Sequence, residues 1–589
     1  MSLPDQRRSK RKRISKPSDS PLRWFSVRSL LLCFSFLTFL FLVSIKIPLT
    51  PSGFHPVLVV STLSLLSSSS SAGKVESALD FGGFLVVENR VLFPDHVLLL
   101  LRSIDHGDSV VGDLECVYHH ETQSIDEDDS IISIEKPLSI DEYDELRTIV
   151  RCPSSPANYS DHVDLRWRGQ KNGFSSDYSR NGSISSWENV VYSATLDETS
   201  AVVFVKGLNL KSDRLSDPSP LTCHFEDEQQ QELHITKALA AAQEVVRCPL
   251  PPALATSVVE GTRVAIGVSQ GRRGYSRITV LPSLAKISTL RGRRRRKTAK
   301  KHDLCVCTMV WNQGPAIREW IMYHAWLGVQ RWFIYDNNSD DGTNAVIRKL
   351  DLENFNVSRH AWPWIKTQEA GFSHCALRAR HECRWVSFMD VDEFFYFPYS
   401  SHGHERFRNS GSVGPGSLRT LVEGVSSTSA AIAEIRTSCH SYGPSGLSSP
   451  PAKGVTVGYM CRLVSPERHK SIVRVDALDR TLLNVVHHFR LRKGFRYLNL
   501  PQNTAVINHY KYQVWQVFKS KFRRRVATYV ADWHENQNEG SRDRAPGLGT
   551  EAIEPPNWPR KFCEVWDSGL RDFVLANLAD VSTGLLPWE

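Results

Sequence analysis

The alternation of apolar and polar residues divides the chain into two regions of different character. Residues 75–290 contain short apolar runs of β type, such as FLVVENRVLF and SAVVFVKGLNL, separated by polar turns. This pattern is typical of an all-β sandwich. From His302 onward the apolar runs change in length and period, so we predict a second domain of a different class over residues 302–560, followed by a C-terminal tail at 561–589.

The second region opens with a strand, a helix and another strand. The run DLCVCTMVWNQ predicts the first strand, AIREWIMYHAWLGV repeats apolar residues near helical spacing up to Gly328, and RWFIYDNNSDDGT predicts a strand ending in a polar turn. Together these make a βαβ unit, which predicts an α/β domain with a largely parallel sheet. Ligands of such sheets gather at the carboxyl ends of the strands.

A later stretch, WVSFMDVDEFF, carries the first candidate chemistry. Its apolar part predicts a buried strand that ends in Asp390 and Asp392. Side chains two residues apart in an extended chain point the same way, so both carboxylates could hold one hard cation. Asp336, at the end of the preceding βαβ unit, falls on the same predicted edge of the sheet. A solvated turn is the alternative explanation of the two acids.

The N-terminus predicts a membrane anchor. Residues 29–45 form an uncharged apolar run of 17 residues, and cations crowd its N-terminal side, whereas only Lys46 follows it closely. The positive-inside rule then predicts a cytosolic basic tail at 1–28, a signal anchor at 29–47 and a lumenal remainder. A cleaved signal peptide is the alternative. Residues 48–74 are rich in Ser and Pro and predict a stem.

The net charge of +9 does not indicate a nucleic-acid partner. Residues 1–28 carry a net +7 and the run RGRRRRKTAKK at 291–301 carries +8, which leaves −6 for the rest of the chain. A basic groove for nucleic acid is therefore not expected. We interpret the run at 291–301 as a solvated linker; a proprotein-convertase site and a patch that meets acidic polysaccharide are alternatives.

A lumenal location permits disulfides, and the β-rich region contains a repeat that predicts two of them. DLECVYHHE leads to TIVRCPSSP, and PLTCHFEDE leads to EVVRCPLPP. Each unit has a cysteine, an acidic stretch and a second cysteine in V-R-C-P. We predict the pairs Cys116–Cys152 and Cys223–Cys248.

Four motifs occur in one order: REWIMYHAWLGVQRWFIYDNNSDDGT, WVSFMDVDEFF, KSIVR at Lys470 and NHYKYQ at Asn508. In this combination the chain resembles glycosyltransferase family 92, formerly a domain of unknown function. The resemblance spans roughly residues 303–525 and implies a GT-A-type, Rossmann-like glycosyltransferase domain. The layout of anchor, β-rich region and transferase resembles plant type II membrane members, some of which are similar to β-1,4-galactan synthases that use UDP-galactose.

The resemblance implies a metal site and its ligands. Asp390 and Asp392 would hold Mn²⁺ or Mg²⁺ against the diphosphate of the donor, and His509, in the position of the family's HY motif, would be the third ligand. His487 and His488 are rivals for that third position.

Other residues are candidates for donor binding and for proton transfer. Asp336 is expected to contact the uracil or ribose of the donor, with an Asx turn as its alternative role. Lys470 and Arg378 are expected to approach the diphosphate, although a solvated helix charge is the alternative for the arginine. If the reaction inverts the anomeric centre, a carboxylate must accept the proton of the acceptor hydroxyl, and Glu434 and Asp476 are the candidates.

These expectations combine into a predicted function. The protein would move a hexose, with galactose favoured, from a UDP-sugar to an oligo- or polysaccharide in cell-wall synthesis at the Golgi membrane. The alternative is a catalytically inactive, membrane-anchored glycan-binding or scaffold protein, and a homo-oligomer is left open. Sequons at Asn158, Asn181 and Asn356 are candidate glycosylation sites, whereas Asn337 lies in the proposed donor site and should carry no glycan.

Overall fold

The computed structural model describes residues 85–103, 114–120, 132–144, 147–168, 184–208, Leu210, 214–227, 232–254, 259–270, 277–290, 301–398, 414–485, 487–528 and 554–589. The predicted basic tail, signal anchor and stem lie outside these residues, as does nearly all of the predicted linker. Among the described helices, none is both long enough and apolar enough to cross a membrane.

The first region is built from short strands, as its sequence pattern predicts. Along the described chain they are β1 (Leu85–Leu92), β2 (His96–Ser103), β3 (Leu114–His119), β4 (Ile132–Glu135), β5 (Ser139–Glu142), β6 (Arg147–Pro153), β7 (Asp164–Trp167), β8 (Ile184–Ser186), β9 (Val191–Asp197), β10 (Ser200–Val205), β11 (Leu215–Ser216), β12 (Leu221–Asp227), β13 (Glu232–Lys237), β14 (Ala240–Ala242), β15 (Val245–Pro249), β16 (Arg263–Gln270), β17 (Arg277–Val280) and β18 (Ile287–Ser288).

These strands form two pairs of sheets, where the sequence predicted one sandwich. In the first pair, sheet β5-β6-β2-β1-β8 is joined to sheet β4-β3-β7 by the disulfide Cys116–Cys152. In the second, sheet β11-β14-β15-β10-β9-β18 is joined to sheet β13-β12-β16-β17 by Cys223–Cys248. Both disulfides are the pairs that the sequence repeat predicts. Each repeat therefore corresponds to one pair of sheets with one covalent link between them.

The second region mixes strands and helices. Its described elements are β19 (His302–Val310), α1 (Gly314–Trp326), β20 (Arg331–Asp336), α2 (Thr343–Leu352), β21 (Val357–Ala361), α3 (Gln368–Ala379), β22 (Cys383–Phe388), β23 (Glu393–Tyr396), α4 (Ser417–Thr428), β24 (Ile432–Ser441), α5 (Val455–Gly458), β25 (Cys461–Arg462), β26 (Arg468–Arg474), β27 (Asn484–Val485), β28 (His488–Phe489), β29 (Arg496–Asn499), β30 (Val506–His509), α6 (Trp515–Thr528), β31 (Val565–Trp566) and α7 (Gly569–Asn577).

A mixed sheet of nine strands organises this region. Strands β21, β20, β19 and β22 are parallel neighbours in that order. The sheet then continues through β26 and β24 to β30 and β23, with strands running in both directions. The ninth strand, β29, pairs with β24 outside this order. The predicted βαβ unit is confirmed as β19, α1 and β20. The carboxyl ends of β19, β20 and β22 therefore share one edge, where ligands of α/β sheets bind.

Helix α1 shows how local sequence produces this unit. Pro315 lies in the first turn, where a missing backbone N–H leaves no hydrogen bond unmade. Ile317, Trp320 and Ile321 follow at helical spacing and are fully buried in the core. Gly328, just beyond the helix, has a φ of +102°, which glycine adopts without steric cost, and the chain turns there toward β20.

The two regions share one hydrophobic core. Tyr192 from β9 and Phe204 from β10 pack against Trp362, Trp364 and His374 of the second region, with ring centroids 4.7–6.0 Å apart. These apolar rings belong to a single buried cluster that contains residues of both regions. The two regions consequently belong to one compact unit, Val75–Glu589.

The segment at 561–589, predicted as a tail, is part of this core. Leu570 and Val574 of α7 are fully buried in the cluster that also holds α1. Three disulfides that no sequence repeat revealed strengthen the second region, and they join Cys305 to Cys383, Cys307 to Cys375 and Cys461 to Cys563. The last of these ties the segment to β25.

Candidate active site

The acids of WVSFMDVDEFF lie in a turn, so the expectation of a strand-mounted pair is corrected. Strand β22 ends at Phe388, and Asp390 and Asp392 precede β23. The backbone N–H of Asp390 donates to Glu393 Oε2 at 3.0 Å, which closes the turn. Oxygens of the two aspartates and of Glu393 lie within 4.8 Å of one another. Glu393 is therefore a third acid of the site, which the sequence analysis missed.

The three acids differ in their access to solvent. The side chain of Asp390 is 35% exposed, that of Asp392 is 10% exposed, and that of Glu393 is fully buried. Asp390 is consequently the acid that an incoming ligand meets first. Glu393 can act only on groups that are already inside the cluster.

Two lysines contact these acids. Lys470, on β26, has its Nζ 3.0 Å from Asp390 Oδ2 and 2.8 Å from Glu393 Oε1. Lys521, on α6, contacts the carboxylate of Asp392. The structure therefore brings Lys470 to the site, as predicted, and adds one member of the cationic segment KSKFRRR. Buried carboxylates of this kind need paired cations, because an isolated buried charge is strongly destabilising.

These neighbours set the ionisation of the three acids. Burial opposes the charge on Asp390, but Lys470 outweighs it and lowers the pKa of that carboxyl. Burial also opposes the charge on Asp392, but the attraction of Lys521 is stronger and lowers the pKa of this carboxyl well below its usual value. Burial dominates at Glu393 and raises its pKa despite Lys470. The two aspartates are thus held as anions, ready to accept a cation.

His509, the predicted third ligand, lies at the cluster. Its Nε2 is 3.4 Å from Asp392 Oδ2, and its Nδ1 is 3.9 Å from Glu393 Oε1. The position follows from strand register, because β30 pairs antiparallel with β23 and places His509 opposite Glu393. A downstream motif thus reaches the acids through sheet pairing.

The two alternatives to His509 as the third ligand lie in different places. His487 joins the cluster, with its Nε2 3.5 Å from Asp390 Oδ2. Burial, aided by Lys470, lowers the pKa of His487 to about 3, so its imidazole is neutral and able to act as a ligand. His488 lies instead beside Glu434, 2.9 Å from its carboxylate.

Helix α1 fixes the strand that carries the third acid. The indole N–H of Trp320 donates to the carbonyl of Glu393 at 2.9 Å, and the hydroxyl of Tyr323 donates to the carbonyl of Phe395 at 2.5 Å. His324 Nε2 accepts the backbone N–H of Phe395 at 3.4 Å. The motif REWIMYH therefore supports the site from behind.

This contact predicts an acid-sensitive step in stability. Burial lowers the pKa of His324 to about 4 from an ordinary value of 6.5, although the hydrogen bond with the carbonyl of Trp320 opposes this shift. The unfolded chain binds a proton below pH 6.5 and the folded chain does not, so the free energy of unfolding falls as the pH drops. We expect a loss of about 1 kcal/mol from this group between pH 7.5 and 5.5.

Urea unfolding at the two pH values measures this effect. In His324→Gln, which removes the titrating group, the difference in unfolding free energy between the two pH values should be smaller by about 1 kcal/mol. His119→Gln, at a half-exposed position of β3, is the matched control and should leave a larger difference between the two pH values than His324→Gln does. An unchanged difference in His324→Gln would contradict the assignment.

The structure corrects Glu434 as the catalytic base. Its side chain is 1% exposed and is held by Ser471, His488 and Arg436 at 2.5–2.9 Å. Burial raises the pKa of this carboxyl, but these hydrogen bonds lower it to about 2. A base has to reach the acceptor hydroxyl and hold its proton. Glu434 can do neither.

Asp476 and Arg378 also lie elsewhere. Asp476 is half exposed after β26 and forms an ion pair with Arg474 at 2.7 Å, which is a surface arrangement. Arg378, on α3, has its guanidinium 5.6 Å from the ring centre of Phe333. β26 runs antiparallel to β22, so Asp476 lies toward the amino end of β22, whereas the acids follow its carboxyl end. Helix α3 ends just before β22 begins, which places Arg378 at the amino end as well. Both predicted roles are therefore corrected.

Asp336 has a structural role in the folded chain. Its Oδ2 lies 2.6 Å from Arg359 Nε, and its Oδ1 accepts the backbone N–H of Ser339 at 3.0 Å. The second contact closes a turn to the backbone three residues on, one residue longer than the Asx turn that is the alternative from sequence. Because the side chain is fully buried, its carboxylate presents no surface to a nucleotide, and the predicted donor contact is corrected.

The sequons predict a distinct pattern of glycans. Asn158 and Asn356 are exposed, whereas Asn181 lies outside the described residues. The side-chain amide of Asn337 donates to two backbone carbonyls at 2.7 and 3.1 Å. We expect glycans on Asn158 and Asn356 and none on Asn337. Enzymatic deglycosylation in ¹⁸O-water followed by mass spectrometry measures this, and a glycan on Asn337 would contradict the geometry.

The donor atoms of the cluster fit a hard divalent cation. Three carboxylates and the imidazole of His509 supply the oxygen and nitrogen ligands that Mn²⁺ accepts, and Mg²⁺ accepts the oxygens. Lys470 and Lys521 contact the same oxygens. A bound cation would therefore replace contacts that the two ammonium groups make here.

Comparisons with known proteins identify the family of this chain. The model of glycosyltransferase family 92 matches residues 300–544. A family 92 protein of Ricinus communis is 51% identical and covers 100% of this chain and 99% of its own, and one of Arabidopsis thaliana is 50% identical over 98% of each. A Pyrobaculum calidifontis mannosyltransferase, solved with GDP-Man and Mn²⁺, covers 41% of this chain and 66% of its own at 12% identity, with a TM-score of 0.24, too low to bear on the fold. The chain belongs to glycosyltransferase family 92.

Proposed function

We propose that this glycosyltransferase moves a hexose, with galactose favoured, from a UDP-sugar to a glycan acceptor, in a metal-dependent and inverting reaction at a GT-A-type site. Family membership supports the transferase activity. The observation that carries the metal-dependent part is the cluster of Asp390, Asp392 and Glu393 with His509 at its side. It lies just beyond the carboxyl end of β22, on the edge where α/β sheets bind ligands.

The residues of the cluster have two different roles in this proposal. Asp390, Asp392 and His509 would hold Mn²⁺ or Mg²⁺, which supplies positive charge for the departing diphosphate. Lys470 and Lys521 are fixed cations at the same place. Ammonium groups form strong charge-assisted hydrogen bonds to phosphate oxygens, so both lysines suit a diphosphate.

The cellular setting is part of the proposal. Residues 29–47 would anchor the protein in the Golgi membrane with the catalytic region in the lumen, where it would extend cell-wall polysaccharide. The disulfides of the described residues support an oxidising compartment.

A donor screen tests the proposal. Full-length protein in detergent micelles would be incubated with single UDP-sugars, oligosaccharide acceptors and Mn²⁺, and UDP release and product mass would be measured. We expect the fastest transfer from UDP-galactose and loss of transfer in EDTA. Binding of glycan without consumption of any UDP-sugar would contradict the proposal and support the inactive scaffold.

A further inference from the structure

A second charged site lies between the β-rich region and the α/β region. It is a cavity of about 70 Å³ whose walls include Arg247 of β15, Arg380 next to α3, and Arg480 and Arg492 from the segment after β26. A single water needs roughly 10–15 Å³, so the cavity has room for about five non-hydrogen atoms. None of these arginines belongs to the acidic cluster described above.

The cavity carries an excess of positive charge. Four guanidinium groups line it, and the acidic residues among its lining are Asp197 and Glu198. Asp197 already pairs with two of the arginines, because its Oδ2 is 2.9 Å from Arg247 Nη1 and its Oδ1 is 2.6 Å from Arg380 Nη1. The carboxylates that line the cavity therefore compensate only part of its charge.

Two of the four arginines have buried nitrogen atoms with unused donors. Arg247 is 6% exposed and donates to the carbonyl of Arg480 at 2.8 Å and to the hydroxyl of Ser200 at 2.7 Å. Its Nη2, however, has no hydrogen-bond partner among the residues that the structure describes. The Nε of Arg380 is also buried, and no described residue accepts a hydrogen bond from it. Buried donors of charged groups are costly when unpaired, so an acceptor at this place would be stabilising.

We propose that this cavity is a binding site for a small oxyanion, held by Arg247, Arg380, Arg480 and Arg492. Phosphate, sulfate and a carboxylate all fit the volume, and each accepts the paired N–H groups of a guanidinium. The anion would link the two regions of the protein, since the arginines come from both. This site does not depend on the proposed sugar transfer.

Two sources offer this chemistry. Inorganic phosphate or sulfate could enter as a free ion, and the carboxylate of a uronic acid could enter as part of an acidic glycan. In both cases the recognised group is a small oxyanion, although phosphate and sulfate carry more negative charge than a carboxylate. The affinity order of matched probes separates the sources.

Isothermal titration calorimetry on the full-length protein in detergent micelles tests the site. Inorganic phosphate, sulfate, galacturonate and acetate would be titrated at constant ionic strength maintained with chloride. Arg480→Gln keeps the backbone carbonyl that Arg247 uses and should weaken binding about 10-fold, because it removes one charged hydrogen-bond donor. Arg348→Gln, an exposed position on α2, makes the same charge change and should bind like the wild type.

The outcomes are distinct. Tighter binding of galacturonate than of acetate and phosphate would assign the site to an acidic sugar. Tighter binding of phosphate or sulfate than of galacturonate would assign it to a free ion. Absence of binding by all four probes, or equal affinity in Arg480→Gln and Arg348→Gln, would overturn the proposal. Arg492→Gln provides a second lining variant, so a folding defect in one variant does not decide the result.

Discussion

Asp392→Asn is expected to lower the kcat of sugar transfer about 100-fold or more, the cost typical of losing a group that stabilises transition-state charge. The substitution keeps the shape of the side chain and removes the negative charge that a cation requires. Because Lys521, its present partner, is partly exposed, the fold should tolerate the loss. Initial rates over a Mn²⁺ titration measure both kcat and the apparent affinity for the metal.

Asp476→Asn is the matched control for this result. It makes the same chemical change in a half-exposed ion pair on the surface, so kcat should equal that of the wild type. Undiminished transfer by Asp392→Asn, with the control also unchanged, would remove the metal assignment.

Lys470→Met is expected to lower the free energy of unfolding by about 3–5 kcal/mol, the usual cost of breaking a buried ion pair from one side. The ammonium group is almost fully buried between Asp390 and Glu393. Without it, two neighbouring carboxylates have lost their shared cation. Urea unfolding in the absence of metal measures the loss.

Metal should compensate for the missing lysine. We expect Mn²⁺ to restore more stability to Lys470→Met than it adds to the wild type, because the cation then meets unpaired carboxylates. Lys493→Met, at an exposed position, is the control and should change stability by less than about 0.5 kcal/mol. If Mn²⁺ stabilises both variants equally, the lysine and the metal do not compete for the same oxygens.

Much of the site could be predicted because its residues lie in short, ordered motifs. The acids Asp390 and Asp392 end an apolar run, and the HY motif pointed to His509. Glu393 was not predicted as a site residue because it begins a buried strand, where an acid belongs to no sequence pattern that indicates function. The available signal was a run of three acids in four residues next to two phenylalanines. The apolar neighbours indicate burial, and neighbouring buried carboxylates need cations to compensate their charge.

Other features depend on contacts between distant parts of the chain. Asp336 could not be assigned from its position at a strand end, because its partner Arg359 comes from the next strand. The two cysteine pairs of the β-rich region were predictable from repeated flanks, whereas Cys305 and Cys307 have no such repeat. Side chains that meet only after the sheet has formed leave no local pattern in the sequence.

The core shared by the two regions bears on how this architecture can evolve. Tyr192 and Phe204 fill the surface that Trp362 and Trp364 present, so neither region offers a water-compatible face at this place. A gene fusion that exchanged the β-rich region for an unrelated one would leave these indoles without partners. The two regions should therefore be inherited together, as a single unit of descent. Substitutions at their contacting residues should be correlated.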